Sequence, residues 1–279
     1  MLLLTEERSR IYLIQRTITV EKEACIHCGL CIRDCVAACL EFDEEKIPRY
    51  LPGGEQRCLA CQHCMLVCPK GALSFGGLQP EQCGTVSYGN HEELLKLIKS
   101  RRSTRAYKKE DLSQEQLDKL TEMLAYAPTG VNAPSVRFSL VATRKKMDKI
   151  RKITYDCLNT VRADSPLFII KEMAEASKRA GKDLVYRGAP ALVVASVDTK
   201  TAASVCQTAD PVIALSYLEL YAASLGLGTV WDGIAVALAR TFPTSGRPRG
   251  QPTGLPSSDN TILMNYEKSC LAGAVLFCI

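Results

Sequence analysis

Eight cysteines fall into two runs of identical spacing, and this arrangement constrains the chain more than any other feature. Cys25, Cys28, Cys31 and Cys35 read C-x2-C-x2-C-x3-C, and Cys58, Cys61, Cys64 and Cys68 repeat the pattern with Pro69 directly after. Three thiolates at such spacing wrap three corners of an iron-sulfur cubane, while the fourth cysteine of each run crosses over to complete the other cluster. The expected ligand sets are therefore Cys25, Cys28, Cys31 and Cys68 for a first 4Fe-4S cluster, and Cys58, Cys61, Cys64 and Cys35 for a second. Zinc is the competing reading of C-x2-C pairs, but a tetrahedral ion takes four ligands and would leave four of these eight surplus.

The surrounding residues agree with a crowded metal loop. Gly29, Ala60 and Gly71 are small enough for backbone to lie close to inorganic sulfide. His27 and His63 sit inside the runs and read as duplicated loop structure rather than ligands, and Cys39 reads as a buried small apolar side chain beside Cys35. Disulfides are the reading for a small secreted chain, whereas two tight cysteine runs in a chain of ordinary composition favour metal ligation in a reducing compartment.

The chain has 279 residues, 47% hydrophobic and 23% charged, which suits a small domain followed by a larger one, both with buried cores. The formal net charge of +5 counts the thiols as neutral, so two loaded clusters would bring it close to zero. Basic residues group only at Lys99–Arg105 and Arg144–Lys152, without interleaved aromatics, which argues against nucleic-acid binding. No apolar run reaches the ~20 residues of a membrane span, and Met1–Leu4 is too short for a secretory core, so a cytoplasmic protein is expected.

Ile18–Val20 reads as a strand leading into the first cysteine run, and residues 1–19 otherwise carry no motif. Turn signals from Gly76 to Asn90 place a domain boundary, drawn between residues 83 and 84. A helix is then expected after Asn90, and another behind a Ser113/Gln116 capping box, with Leu117, Leu120, Leu124 and Ala127 on one face until Pro128. Phe138–Ala142 reads as a strand, and Ala191–Val197 as a strand covered on both faces. Asp210-Pro211 reads as cap and first turn of a nearly all-apolar helix closed by a left-handed Gly226, placing it at a core or a subunit interface. Helices mixed with a few strands, without regular βαβ alternation, indicate an α+β fold.

Residues 16–83 resemble the bacterial two-cluster ferredoxins, with Val36 standing where that family has proline, which predicts a slightly different loop at the second site. Within Arg101–Arg105, three guanidiniums and two hydroxyls in five residues complement a phosphate, although composition alone more often describes a solvated helix end. Taken with Ala127-Pro128-Thr129-Gly130-Val131-Asn132 and Gly226-Leu227-Gly228-Thr229-Val230-Trp231, that segment resembles the FMN-dependent nitroreductases over residues 91–232. The resemblance implies that Arg101, Ser103 and Arg105, assisted by Arg102, bind the FMN phosphate and pyrimidine edge. It further implies that Thr129 and Asn132 lie in the isoalloxazine loop, and that the backbone from Gly226 through Leu227 and Gly228 to Thr229 approaches the ring system. As a turn residue Asn132 has an ordinary structural reading as well.

Two departures qualify the likeness. Ala133–Phe138 replaces the family's Gln-Pro-Trp-like wall, and Thr241–Ile279 lacks its late phosphate segment, leaving Lys268 as a substitute contact. The implied protein is a homodimeric oxidoreductase with FMN at the subunit interface, fed by two clusters from a reduced ferredoxin or NAD(P)H. Its acceptor would be a nitroaromatic, a quinone or a similar small molecule, and no side chain reads as a general acid or nucleophile. The alternative is an electron-transfer or redox-sensing flavoprotein without small-molecule turnover.

Overall fold

A computed structural model describes residues 2–3, 15–82, 89–133, 135–198, 206–241 and 269–277. The chain divides into two compact units, Glu6–His91 with Val131–Ala133, and Met1–Thr5 with Glu92–Gly130 and Pro134–Ile279. The expected boundary at residues 83 and 84 lies outside the described residues, and the division comes between His91 and Glu92. In chain order the elements are β1 (Leu2–Leu3), β2 (Ile18–Val20), α1 (Leu30–Arg33), β3 (Leu40–Phe42), β4 (Pro48–Tyr50), α2 (Gly54–Arg57), α3 (His63–Leu66) and β5 (Leu73–Phe75). There follow α4 (His91–Ser100), α5 (Gln114–Ala125), β6 (Val136–Val141), α6 (Arg144–Asn159), α7 (Phe168–Arg179), β7 (Leu192–Asp198), α8 (Ala209–Ser224), β8 (Thr229–Trp231), α9 (Gly233–Thr241) and β9 (Ser269–Phe277).

Two antiparallel ribbons frame the smaller unit. The predicted strand β2 pairs with β5, Ile18 opposite Phe75, and β3 pairs with β4, Leu40 opposite Tyr50. Between the ribbons run the single-turn helices, each entered through a left-handed residue: Gly29 at φ 70°, Gly53 at 75° and Gln62 at 61°. The buried centre is small and partly sulfur, with Cys39, Met65, Leu73 and Phe75 each 1% exposed. Bound metal would add to the stability of so small a core.

Strand β7 organises the larger unit. Its side chains alternate across the sheet: Val193, Ala195 and Val197 enter a core with Leu117, Leu120 and Leu124 of α5 and Ala214, Leu215 and Leu218 of α8. On the opposite face Leu192 and Val194 pack with Met147, Ile150 and Leu158 of α6. The sheet runs β1-β6-β7-β9-β8 with every pairing antiparallel, so β7 is covered on both faces as expected and the class is α+β. Burying each such valine or leucine contributes about 1.5 to 3 kcal/mol. The ninth strand, beside β7, comes from the C-terminal segment, which the sequence reading left without an element.

Local chemistry sets the helix ends. Ser113 Oγ accepts from Gln116 N at 3.2 Å and Gln116 Oε1 accepts from Ser113 N at 2.8 Å, the expected capping box ahead of α5. At the far end of α8, Gly226 adopts φ 75°, and the chain reverses with Gly226 N donating to Ala223 O (3.1 Å) and Leu227 N to Ala222 O (2.9 Å). The N-terminus of α8 differs from expectation. The helix begins one residue before Asp210, so Asp210 is not its cap and its carboxylate turns to another loop instead. Among the described residues no helix is long and apolar enough to cross a membrane.

Candidate functional site

The eight paired cysteines surround two separate cavities. One is lined by Cys35, Cys58, Cys61 and Cys64, and the other by Cys25, Cys28, Cys31 and Cys68. Each cavity thus takes three cysteines from one run and the fourth from the other, the crossed arrangement that the spacing implies. Among the described residues no three metal-binding side chains close on a single-ion site. The donor set instead encircles space in each cavity, and its chemistry, four thiols around a hollow, suits a cluster.

The two loops are copies in backbone as well as in spacing. Gly29 (φ 70°) matches Gln62 (61°), His27 (54°) matches Ala60 (50°), and Ala38 (46°) matches Gly71 (60°). Cys39 N donates to Cys35 Sγ at 3.3 Å, and at the corresponding place Ala72 N donates to Cys68 Sγ at 3.3 Å. Val36 therefore leaves the loop geometry at the second cavity unchanged, contrary to expectation, because the turn is set by the left-handed residue at position 38 and the N–H to sulfur bond. The two histidines do not occupy matching places, since His27 aligns with Ala60 and His63 with Leu30. His27 Nδ1 lies 3.0 Å from Lys46 O, and His63 Nε2 2.7 Å from Asp34 Oδ2, so both have local structural partners. Cys39 is buried against this cavity, and burial pushes its thiol up to about 11, which keeps it a protonated, inert side chain as expected.

In the larger unit the Arg101–Arg105 segment is stitched to the segment after α8. Ser103 forms a parallel bridge with Thr229, and Thr104 N donates to Thr229 O at 2.9 Å. Gly228 makes that approach feasible, because a Cβ there would come within 2.3 Å of Thr104 Oγ1 and 2.8 Å of its Cβ and Cγ2. Two stretches far apart in sequence, both singled out for their likeness to a flavin site, are thereby brought edge to edge. Leu227 and Thr229 are buried, and Gly226 lies at the surface.

The three arginines differ in what holds them. Arg101 Nη1 donates to Glu219 Oε1 at 2.9 Å, and Glu219 Oε2 accepts from Trp231 Nε1 at 3.0 Å. Arg102 closes the end of α4 by donating to Lys99 O (2.7 Å) and Arg101 O (2.8 Å). Arg105 is exposed and donates to Ser103 O at 3.4 Å. Glu219 was missed by sequence reasoning, yet it is the sole charged residue within the apolar stretch Pro211–Leu225, and a buried carboxylate in such a helix needs a cationic partner.

The turn Ala127–Gly130 is anchored by Asp210, 1% exposed, whose Oδ1 accepts from Gly130 N at 3.0 Å, with Thr129 half-buried beside it. The next residues, Val131–Ala133, belong to the smaller unit. There Asn132, at φ 53°, donates through Nδ2 to Leu59 O (3.1 Å) and Ala60 O (3.3 Å). Its amide is thus engaged by backbone between Cys58 and Cys61. Asp232, 5% exposed, caps α9 by accepting from Ala235 N at 2.9 Å, and burial raises its carboxyl to about 6. Lys268 and Pro243–Pro256 lie outside the described residues.

Comparison with known proteins matches these two regions. Residues 98–236 match the Nitroreductase family, and residues 24–72 match the 4Fe-4S dicluster domain. A nitroreductase from Bacteroides fragilis NCTC 9343, crystallised with bound FMN, is similar in fold, with TM-score 0.50 and 22% identity over 68% of this chain and 88% of that one. A nitroreductase with bound FMN from Desulfitobacterium hafniense DCB-2 gives TM-score 0.49 and 24% identity over 67% and 88%. A protein named Probable oxidoreductase YjgC, from Bacillus subtilis (strain 168), is 34% identical over 88 residues, which is 28% of this chain. The match spans only 9% of that protein's length.

Proposed function

This chain belongs to the nitroreductase family and carries a 4Fe-4S dicluster domain ahead of its nitroreductase domain, and on that premise we propose that it is an iron-sulfur flavoprotein oxidoreductase. It would hold two 4Fe-4S clusters and one FMN, and would reduce a nitroaromatic, a quinone or a similar small acceptor. The observation that carries this reading is the crossed cysteine lining of the two cavities. When bound, the clusters supply single electrons and the flavin exchanges them for pairs, which is chemistry that no side chain provides.

The residues would hold, orient and neutralise. Cys25, Cys28, Cys31 and Cys68 would ligate one cluster, and Cys35, Cys58, Cys61 and Cys64 the other. Arg101, Arg102, Ser103 and Arg105 would bind the FMN phosphate and pyrimidine edge, since guanidiniums make strong charge-assisted bonds to phosphate. Thr129, Asn132 and the backbone from Gly226 to Thr229 would line the ring system. We further propose a cytoplasmic homodimer that draws electrons from reduced ferredoxin or NAD(P)H.

Protein purified without oxygen should carry about eight iron atoms and one FMN per chain. Zinc in place of iron, or about four iron atoms, would overturn the two-cluster reading. Cys61→Ser should then remove one cluster while FMN stays bound, because serine replaces a thiolate poorly. Nitroaromatic reduction driven by ferredoxin should collapse in this variant, and reduction driven by a small reductant that meets the flavin directly should persist. Full ferredoxin-driven turnover after loss of that cluster would put the cysteine runs off the electron path. Loaded protein that turns over neither nitroaromatics nor quinones would instead be an electron-transfer or sensing protein.

A further inference from the structure

The two cysteine cavities share a backbone template but not a polar environment. Each offers one N–H to the sulfur that crosses over, from Cys39 to Cys35 and from Ala72 to Cys68. The cavity of Cys35, Cys58, Cys61 and Cys64 has two further donors near Cys58. Ala60 N donates to Cys58 Sγ at 3.4 Å, and the Tyr50 side chain lines the same cavity. The other cavity is lined around its thiols by Val20, Ile26, Leu30, Pro48 and Leu73, with His27 as its polar side chain and no hydroxyl.

Tyr50 Oη is buried and has no partner of hydrogen-bonding geometry among the described residues. The thiols of Cys58, Cys64 and Cys39 line the same cavity as Tyr50, and none of them meets the geometry of a formed bond to its hydroxyl. The ring is held in place: Tyr50 ends β4 opposite Leu40, and it lies so close to Gly54 that a Cβ there would be 3.3 Å from Tyr50 Cδ1. A buried hydroxyl left without a partner is costly, and a neutral thiol is a weak acceptor. A thiolate bound to iron is a strong one, and hydrogen bonds to cluster sulfurs are among the levers that set a cluster's potential.

We infer that Tyr50 is a positioning residue for the second cluster, donating its hydroxyl hydrogen to the Cys58 sulfur and so raising that cluster's reduction potential. The inference rests on the two-cluster reading above. The added electron stays on the cluster and the hydroxyl keeps its proton. Its dipole favours the more negative, reduced state, and among the described residues no hydroxyl lines the first cavity.

An anaerobic redox titration of the full-length holoprotein, followed by electron paramagnetic resonance, reads both clusters at once. In Tyr50→Phe one reduction step should move to lower potential and the other stay in place. At a fixed potential the reduced-to-oxidised ratio of that cluster should drop about threefold to tenfold, the upper figure being about 59 mV for one electron. Incorporating 3-fluorotyrosine at position 50 keeps the ring and strengthens the donor, so it should move the same step upward, and it decides the matter if the phenylalanine variant loses its cluster. Two clusters per chain with neither potential moved by these replacements would overturn the role of Tyr50. Fewer than two clusters in the unmodified protein would overturn the underlying reading before Tyr50 is changed.

Discussion

Gly228→Ala tests the seam between the two segments proposed to hold FMN. Gly228 does not sit in the left-handed region, so alanine meets no backbone penalty there and the whole effect comes from the added Cβ. That atom would lie 2.3 Å from Thr104 Oγ1 and 2.8 Å from both Cβ and Cγ2. Thr104 cannot easily retreat. Its N–H is bonded to Thr229 O at 2.9 Å, its carbonyl accepts from the Tyr107 hydroxyl, and its β-branched side chain has few rotamers to choose from. Overpacking of this kind costs about 1 to 3 kcal/mol, and a partner pinned on both sides argues for the upper half of that range.

Changing Thr104 locates the cause. Thr104→Ala removes Oγ1 and Cγ2 but keeps the Cβ contact, so Gly228→Ala should cost less in that background. Thr104→Gly removes all three atoms at its own cost of about 1 kcal/mol, and the further cost of Gly228→Ala should then fall within about 0.5 kcal/mol of zero. Trp231, the only tryptophan in the sequence, lies on β8 next to the seam, so its emission during urea unfolding reports on this unit. FMN affinity, measured in parallel, should weaken in Gly228→Ala and recover in the double variant. An equal cost in all three backgrounds would refute the steric argument, and no cost beside the native threonine would refute the seam itself.

Arg105→Ala should weaken FMN binding by about 1.5 to 3 kcal/mol, roughly 10-fold to 150-fold in Kd by flavin titration, with little change in unfolding. Arg101→Ala should weaken FMN binding similarly and also lower the unfolding midpoint, because it leaves the buried Glu219 carboxylate without its cationic partner and with Trp231 alone among the described residues; unchanged FMN affinity in both variants would mean that the phosphate site is elsewhere. Asp232 gives a pH dependence. Its folded carboxyl, raised by burial to about 6, binds protons that the unfolded chain, titrating near ~3.9, has released. Stability should therefore fall as pH rises from about 4 to about 6, a loss of about 3 kcal/mol that Asp232→Asn should remove while keeping the cap to Ala235 N. Denaturation midpoints across that range would check it, and parallel curves for the two proteins would contradict it.

What the sequence determined by itself was whatever depends on spacing along the chain. The cysteine sets follow from the C-x2-C-x2-C-x3-C rule, the Ser113 box from two residues three apart, the covered strand from an unbroken apolar run, and the turn at Gly226 from a residue that tolerates φ 75°. Each is a short-range relation that survives almost any surrounding fold. Tertiary structure decided which distant groups meet. Nothing local announces that Ser103 will pair with Thr229, that Glu219 will join Arg101 to Trp231, or that Asp210 will hold the Gly130 amide rather than cap its own helix. The strand Ser269–Phe277 was equally hidden, since its small residues carry no alternating pattern and its place beside β7 comes from pairing across the sheet. Tyr50 shows the division most sharply. Its sequence context is an ordinary strand end, and only folding buries its hydroxyl against a cysteine cavity where a buried donor requires an acceptor.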